Sequence, residues 1–233
     1  MIRFNNDYNH GAHPEILEAL SAVNDNSFGG YGEDEWCKKA ADLIRERVHC
    51  PDAAIHFFPG ATQANFIVIA SALSSVQSVI AADTGHINCH EAASVENTNH
   101  KIRRSQIQTE KSPPRRLTHA PVLIMRKTNR NIIQSLRWFI CLFLPNRAPL
   151  YSLEELKAIR KVCDKYGMYL FVDGARLGYG LGAVENDISV EDFAALTDVF
   201  YFGGTKCGTL FGEAVVITSN DLKRRFKAPL PQS

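Results

Sequence analysis

The stretch from Leu150 to Arg176 constrains the fold more than any other part of the chain. It opens with an amphipathic helix at 152–166, where Ser152 is a good N-cap and Glu155, three residues on, completes a capping box. It continues as Tyr169–Val172, YLFV, an uninterrupted apolar strand that ends at Asp173-Gly174. A strand with no polar alternation is suited to burial on both faces, the condition of a strand inside a parallel sheet. The same texture recurs along the chain. Strands are expected at Ala54–Phe58, Val79–Ala82, Val199–Phe202 and Ala214–Thr218. Helices are expected at 14–23, with Pro14 in the first turn, at 35–48, over QANFIVIASAL after the turn PGAT, and at Glu191–Leu196. Short helices alternating with apolar strands predict an α/β fold with a mostly parallel sheet.

Composition narrows the class further. The 233 residues suffice for one large domain, and 45% hydrophobic with 22% charged residues is the balance of a soluble globular core. A net charge of +1 gives no reason to expect a nucleic-acid partner. The longest apolar run, Trp138–Leu144, is far too short to span a bilayer, and the polar start MIRFNNDYNHGAHPEI lacks an apolar signal segment, so no membrane association is expected. Six cysteines, Cys37, Cys50, Cys89, Cys141, Cys163 and Cys207, are scattered without CxxC pairing. That pattern suits reduced thiols in a cytoplasmic protein, with no metal expected.

One segment breaks the texture. Arg103–Ala148 holds ten of the 26 basic residues, one of the 25 acidic ones (Glu110), and none of the 15 glycines. The abrupt changes at Ile102/Arg103 and at Leu150 read as foreign text between two halves of one protein, such as an out-of-frame stretch. A basic linker or nucleic-acid arm is the functional alternative, although such arms rarely carry WFICLFL. The tail 227–233, KAPLPQS, has a similar look. The expected organisation is one large domain over 1–226, interrupted at 103–148.

Four short motifs carry chemistry. Asp173 follows a buried strand, where α/β folds bind ligands, and its carboxylate could pair with a protonated pyridine nitrogen; it could equally cap the next helix. Lys206, in the tight turn YFGGTKCG about thirty residues on, could supply a nucleophilic amine or be a surface loop lysine. Gly60, Ala61 and Thr62, in PGATQAN between strand and helix, suit an anion such as phosphate. His86, in TGHINCHEA, could stack on a flat ring or be structural. Each signal alone is weak. There is no GxGxxG or GxxxxGK[ST], so dinucleotide and P-loop sites lack support. The order anion turn, ring histidine, acid, lysine is what a pyridoxal 5′-phosphate (PLP) site requires.

Those residues lie in stretches that resemble the threonine aldolase / aromatic amino acid β-eliminating lyase family. The stretches are YGEDEW (31–36), FFPGATQAN (57–65), GHINCHEA (85–92), the run 150–181 containing VDGAR, and FYFGGTKCGTLFGEAVVI (200–217). With the helices between them they cover roughly 1–102 and 149–226. The resemblance implies the large domain of a fold-type-I, aspartate aminotransferase-like PLP-dependent enzyme, with the family's small C-terminal domain missing. Lys206 would be the Schiff-base lysine, Asp173 the pyridinium partner and His86 the ring-stacking histidine. Gly60, Ala61 and Thr62 would form the phosphate turn, where the family often has Ser-Gly-Thr. Arg176 would lie near the cofactor hydroxyl and the substrate carboxylate. Asn6 falls at a substrate-carboxylate position that is usually serine, and Tyr31 and Glu33 belong to a loop near the active site or a dimer partner.

The function so implied is cleavage of the Cα–Cβ bond of a β-hydroxy-α-amino acid, threonine to glycine and acetaldehyde, by a homodimer or homotetramer. A β-eliminating lyase, an aminotransferase or a desulfurase of the same fold, and an inactive remnant, are the alternatives. The family also places a sheet strand just before the Leu150 helix. Its replacement by foreign text is expected to leave a gap in the core.

Overall fold

Seven strands hydrogen-bond into one sheet in the computed structural model, which describes residues 5–105, 136–142 and 150–226. In chain order they are β1 (Ala54–Phe58), β2 (Ser78–Ala82), β3 (Lys101–Ser105), β4 (Leu136–Leu142), β5 (Tyr169–Asp173), β6 (Val199–Gly203) and β7 (Glu213–Ile217). Their order in space is β1-β7-β6-β5-β4-β2-β3. Every pairing from β6 to β3 is parallel, and β7 runs antiparallel to both β6 and β1. The sheet is therefore mostly parallel, as the apolar strands require, with β7 reversed.

Eight α-helices are described: α1 (Pro14–Val23), α2 (Glu35–Arg47), α3 (Ala61–Ala72), α4 (His86–Cys89), α5 (Leu153–Tyr166), α6 (Leu177–Leu181), α7 (Val190–Leu196) and α8 (Asn220–Phe226). None of them is long and apolar enough to cross a membrane. The Ser152–Glu155 capping box opens α5 as its sequence predicts, and a second box, Ser189–Asp192, opens α7.

The strands bury both faces because successive side chains point to opposite sides. Leu170, Val172, Phe200 and Val216 pack with Leu156, Ile159 and Cys163 of α5 and Phe193 of α7. Phe171, Val199, Tyr201, Val215 and Ile217 pack with Ala64, Val68 and Ile69 of α3 on the other side. Each such aliphatic or aromatic side chain contributes about 1.5–3 kcal/mol through removal from water. The described cysteines Cys37, Cys50, Cys89, Cys163 and Cys207 are free thiols, and burial pushes Cys163 up to about 12.

The expected gap before the α5 helix is not there. Strand β4 fills the slot between β2 and β5, pairing Trp138–Leu142 in parallel register with Tyr169–Asp173. The physical reason lies in LRWFICL itself, seven residues rich in aromatic and branched apolar side chains, which suit a strand buried on both faces. Arg103–Ser105, at the other end of the basic segment, belongs to β3. The remainder of that segment, 106–135 and 143–149, and the tail 227–233 lie outside the described residues.

Candidate active site

Ligand sites in parallel α/β sheets form beyond the carboxyl ends of the strands. Here β5 ends at Asp173, β6 at Gly203, β1 runs into Pro59-Gly60, and β2 runs into Gly85-His86. Because β7 is reversed, its first residue, Glu213, sits at this same edge, opposite Gly203. A cavity of about 620 Å³ opens there, walled by Asn6, Asp7, Gly60, Ala61, Thr62, His86, Arg176, Thr205, Lys206 and Glu213 among others.

Two glycines let the strand ends come together. A Cβ on Gly174 would lie 1.7 Å from the Tyr201 carbonyl oxygen, and one on Gly203 would lie 2.4 Å from the Ala175 carbonyl oxygen. The turns after β5 and β6 thus touch backbone to backbone, which requires glycine at both. This contact brings Asp173-Gly-Ala-Arg and Gly-Gly-Thr-Lys to one place.

Asp173 is 4% exposed and lies behind the cavity wall rather than on it. Its carboxylate accepts the Tyr201 hydroxyl at 2.5 Å, Asn65 Nδ2 at 3.2 Å and the Ala175 amide at 3.1 Å. Among the described residues it has no cationic partner at ion-pair distance. Burial, followed by the Asp173 charge, drives the Tyr201 hydroxyl well above its ordinary value, so it remains a donor.

Lys206 faces the cavity, and Tyr179 Oη donates to its carbonyl oxygen at 2.8 Å. Burial, then the Arg176 guanidinium, pushes its amine below the usual lysine value, opposed by the charges of Asp7, Asp173 and Glu213. Asp173 and Lys206 therefore sit within electrostatic reach of each other. Arg176 is clamped by Asp7, Nε to Oδ2 and Nη2 to Oδ1 at 3.1 Å. That hydrogen bond holds the Asp7 carboxyl below the usual aspartate range.

His86 opens the short helix α4 beyond β2. Its Nδ1 lies 2.7 Å from Glu91 Oε1. Glu91, 4% exposed, also accepts Asn65 Nδ2 at 2.7 Å and Ser94 Oγ at 3.1 Å. One buried amide, Asn65, thus bridges the carboxylates of Glu91 and Asp173. At the opposite wall, α3 begins at Gly60 with no side-chain cap, so its first amides remain available to an anion.

Asn6, Gly60, Ala61, Thr62, His86, Arg176 and Lys206 therefore converge on one cavity, with Asp173 directly behind it. Tyr31 does not join them. It is 94% exposed, with φ +62°, and is absent from the cavity wall. Asp7, Asn65, Glu91, Tyr201 and Glu213 are additions from the structure. A sequence signal existed for two of them: Asn65 is a buried polar residue within the apolar helix α3, and Glu213 is an acid heading the apolar strand EAVVI.

Residues 8–229 match the beta-eliminating lyase family. The chain belongs to that family. A low specificity L-threonine aldolase of Pseudomonas aeruginosa is 28% identical over 225 residues, 96% of this chain and 64% of the relative. A threonine aldolase of Leishmania major has a solved structure that superimposes with a TM-score of 0.86 at 35% identity, over 95% of this chain and 65% of that one. Mouse CSAD, at 14% identity and a TM-score of 0.66, shares the fold over 99% of this chain and 52% of its own. The chain thus spans a little under two thirds of the length of the threonine aldolases it matches.

Proposed function

We propose that this protein is a PLP-dependent lyase that cleaves the Cα–Cβ bond of β-hydroxy-α-amino acids, with threonine yielding glycine and acetaldehyde. The observation that carries this reading is the placement of Asp173, Lys206 and the open N-terminus of α3 around a single cavity. The residues present fit the cofactor. The buried Asp173 carboxylate is held by three neutral donors and lacks a cation among the described residues, which suits a protonated ring nitrogen. The uncapped amides of α3, with the Thr62 hydroxyl, suit a phosphate.

When bound, PLP supplies an electron-withdrawing ring that takes up the charge left at the substrate Cα. The chain's own groups prepare that site. Lys206, with its proton affinity reduced by burial and by Arg176, offers an amine to the cofactor carbonyl. Asp173, an acceptor for Tyr201 and Asn65, would hold the proton of the ring nitrogen. His86 donates from Nδ1 to the Glu91 carboxylate, which fixes its ring plane and leaves Nε2 as its remaining polar atom. Arg176 is the cation for a substrate carboxylate, with Asn6 beside it. The exposed side chains of Leu17, Leu20 and Trp36 support a homodimer or homotetramer as the working form, which light scattering would test.

Purified protein is expected to retain PLP through desalting, with the visible absorbance of bound cofactor, and Lys206→Ala to lose both. Aldehyde release from threonine then separates this reaction from β-elimination or transamination. Wild-type protein that holds no PLP, or holds it equally well without Lys206, would sink the reading.

A further inference from the structure

Glu213 is a cavity-wall acid that the proposed function leaves without a task. It is 3% exposed and heads β7, directly across from Gly203. Thr205 Oγ1 donates to its Oε1 at 2.8 Å. Its Oε2 is buried with no hydrogen-bond partner. A buried carboxylate oxygen without a donor is costly, and the cost falls if the oxygen carries a proton or receives one from a neighbour.

Among the neighbouring groups, Lys206 is the one that follows the Thr205 donor directly in the chain. The charged and titratable side chains around this corner are Arg176 and Asp7, Asp173 and Tyr201, Tyr8, the rings of His86 and His90, and Lys206. Asp7 is committed to Arg176, and Asp173 to Tyr201, Asn65 and the Ala175 amide. Lys206, one residue beyond Thr205, has no ion pair at contact distance among the described residues. We propose that Glu213 is the positioning residue for the Lys206 proton, its free Oε2 exchanging one proton with Lys206 Nζ inside the cavity through one water.

In that exchange an N–H bond of the ammonium breaks and an O–H bond forms at Oε2. A charged pair becomes a neutral amine and a neutral acid, so no net charge enters or leaves the buried site. When Lys206 must again become an ammonium, the same proton returns. The electrostatics agree with this geometry. Burial, reinforced by the charge of Asp173, pushes Glu213 up to about 7, against the Thr205 hydrogen bond, the Gly204 backbone and the charge of Lys206. Burial and Arg176 push Lys206 down, so the two proton affinities approach each other.

The proposal rests on reading Lys206 as the cofactor-holding amine, but its test uses the full chain without cofactor. The rate at which an amine-reactive reagent labels Lys206 is followed against pH by peptide mass spectrometry. Wild-type protein is expected to give a two-step profile. Glu213→Gln is expected to give one step with its midpoint at lower pH, because the negative neighbour that favours the ammonium is gone. Glu213→Asp should keep two steps. Superimposable profiles for wild type and Glu213→Gln would overturn the proposal.

If the glutamine variant fails to fold, infrared spectroscopy of the wild type follows the Glu213 carboxyl, which burial raises. Its titration should move to higher pH in Lys206→Ala, and an unmoved titration overturns the proposal equally. A two-step profile in a protein that holds no PLP would leave the proton pair standing and remove the proposed function. The opposite pairing of results would do the reverse.

Discussion

The cavity has two walls of very different construction. The wall made by β5, β6 and β7 presents Arg176, Lys206 and Glu213, with Asp173 directly behind, from strand ends whose interior residues are buried, with Phe171, Phe200, Tyr201 and Val216 all at 0% exposure. The wall made by Asn5–Tyr8 presents Asn6 and Asp7 from a segment leading into α1, a helix with no buried residue although it carries Ile16, Leu17 and Leu20. That second wall is fastened by the Arg176–Asp7 ion pair and by contacts such as the His13 amide to the Gly208 carbonyl at 2.9 Å. Chemistry that needs fixed geometry, the Asp173–Lys206 relation, stands on the anchored wall. Substrate contacts are expected from the lightly held one, where movement costs little.

The largest effect should come from the anchored wall. Gly174→Ala places a Cβ where the Tyr201 carbonyl already sits, and is expected to cost about 3 kcal/mol or more in urea unfolding. Gly30→Ala, in the loop before α2 with nothing within 4 Å of the new Cβ, should stay within about 0.5 kcal/mol. Equal midpoints for the two variants would show that the backbone contact under the anchored wall is not tight.

The next effect is a pH dependence. The carboxyl of Glu213 is raised in the folded protein from its ordinary 4.5 to about 7. Below 4.5 both folded and unfolded chains keep it protonated, and its full contribution to stability is present. As pH rises the unfolded chain releases the proton first, so this contribution is lost between 4.5 and about 7, on the order of 3 kcal/mol, and levels off above. Denaturation of wild type and Glu213→Gln across that interval should show the decline only in the wild type.

Tyr201→Phe removes a donor from the buried Asp173 carboxylate. We expect a loss of about 1–3 kcal/mol, together with weaker PLP retention. The smallest effect belongs to the lightly held wall. Asp7→Asn should change global unfolding by no more than about 0.5 kcal/mol, since a partly exposed ion pair contributes little. Limited proteolysis before Pro14 should nonetheless become faster. A large global loss from Asp7→Asn would show that the segment is part of the core after all.

The sequence made the anchored wall largely legible. The strands β1, β2, β5, β6 and β7 are readable within a residue or so, because each is a short apolar run bounded by turn residues. VDGAR and GGTK stand out because glycine is needed where two backbones touch, and the touching residues follow strand ends that local pattern already marks. The expectation of a missing strand failed at 136–142. Charge and missing glycine set the segment apart, yet strand formation depends on the local run, and LRWFICL suffices for β4. Tyr31 lies off this chain's cavity wall, and a loop's position relative to a cavity depends on packing that leaves no periodic trace.

By itself the sequence determined the alternation of helices and buried strands, the acid and lysine at two strand ends, and the capping of α5, because each rests on interactions among residues a few positions apart. Tertiary structure alone decided which groups complete the site. Asn65 reaches Asp173 across 108 positions, and Arg176 reaches Asp7 across 169. The reversal of β7 carries Glu213 to the cavity edge. Such pairings follow from strand order and from the cost of leaving buried polar atoms unpartnered, and both are properties of the assembled sheet.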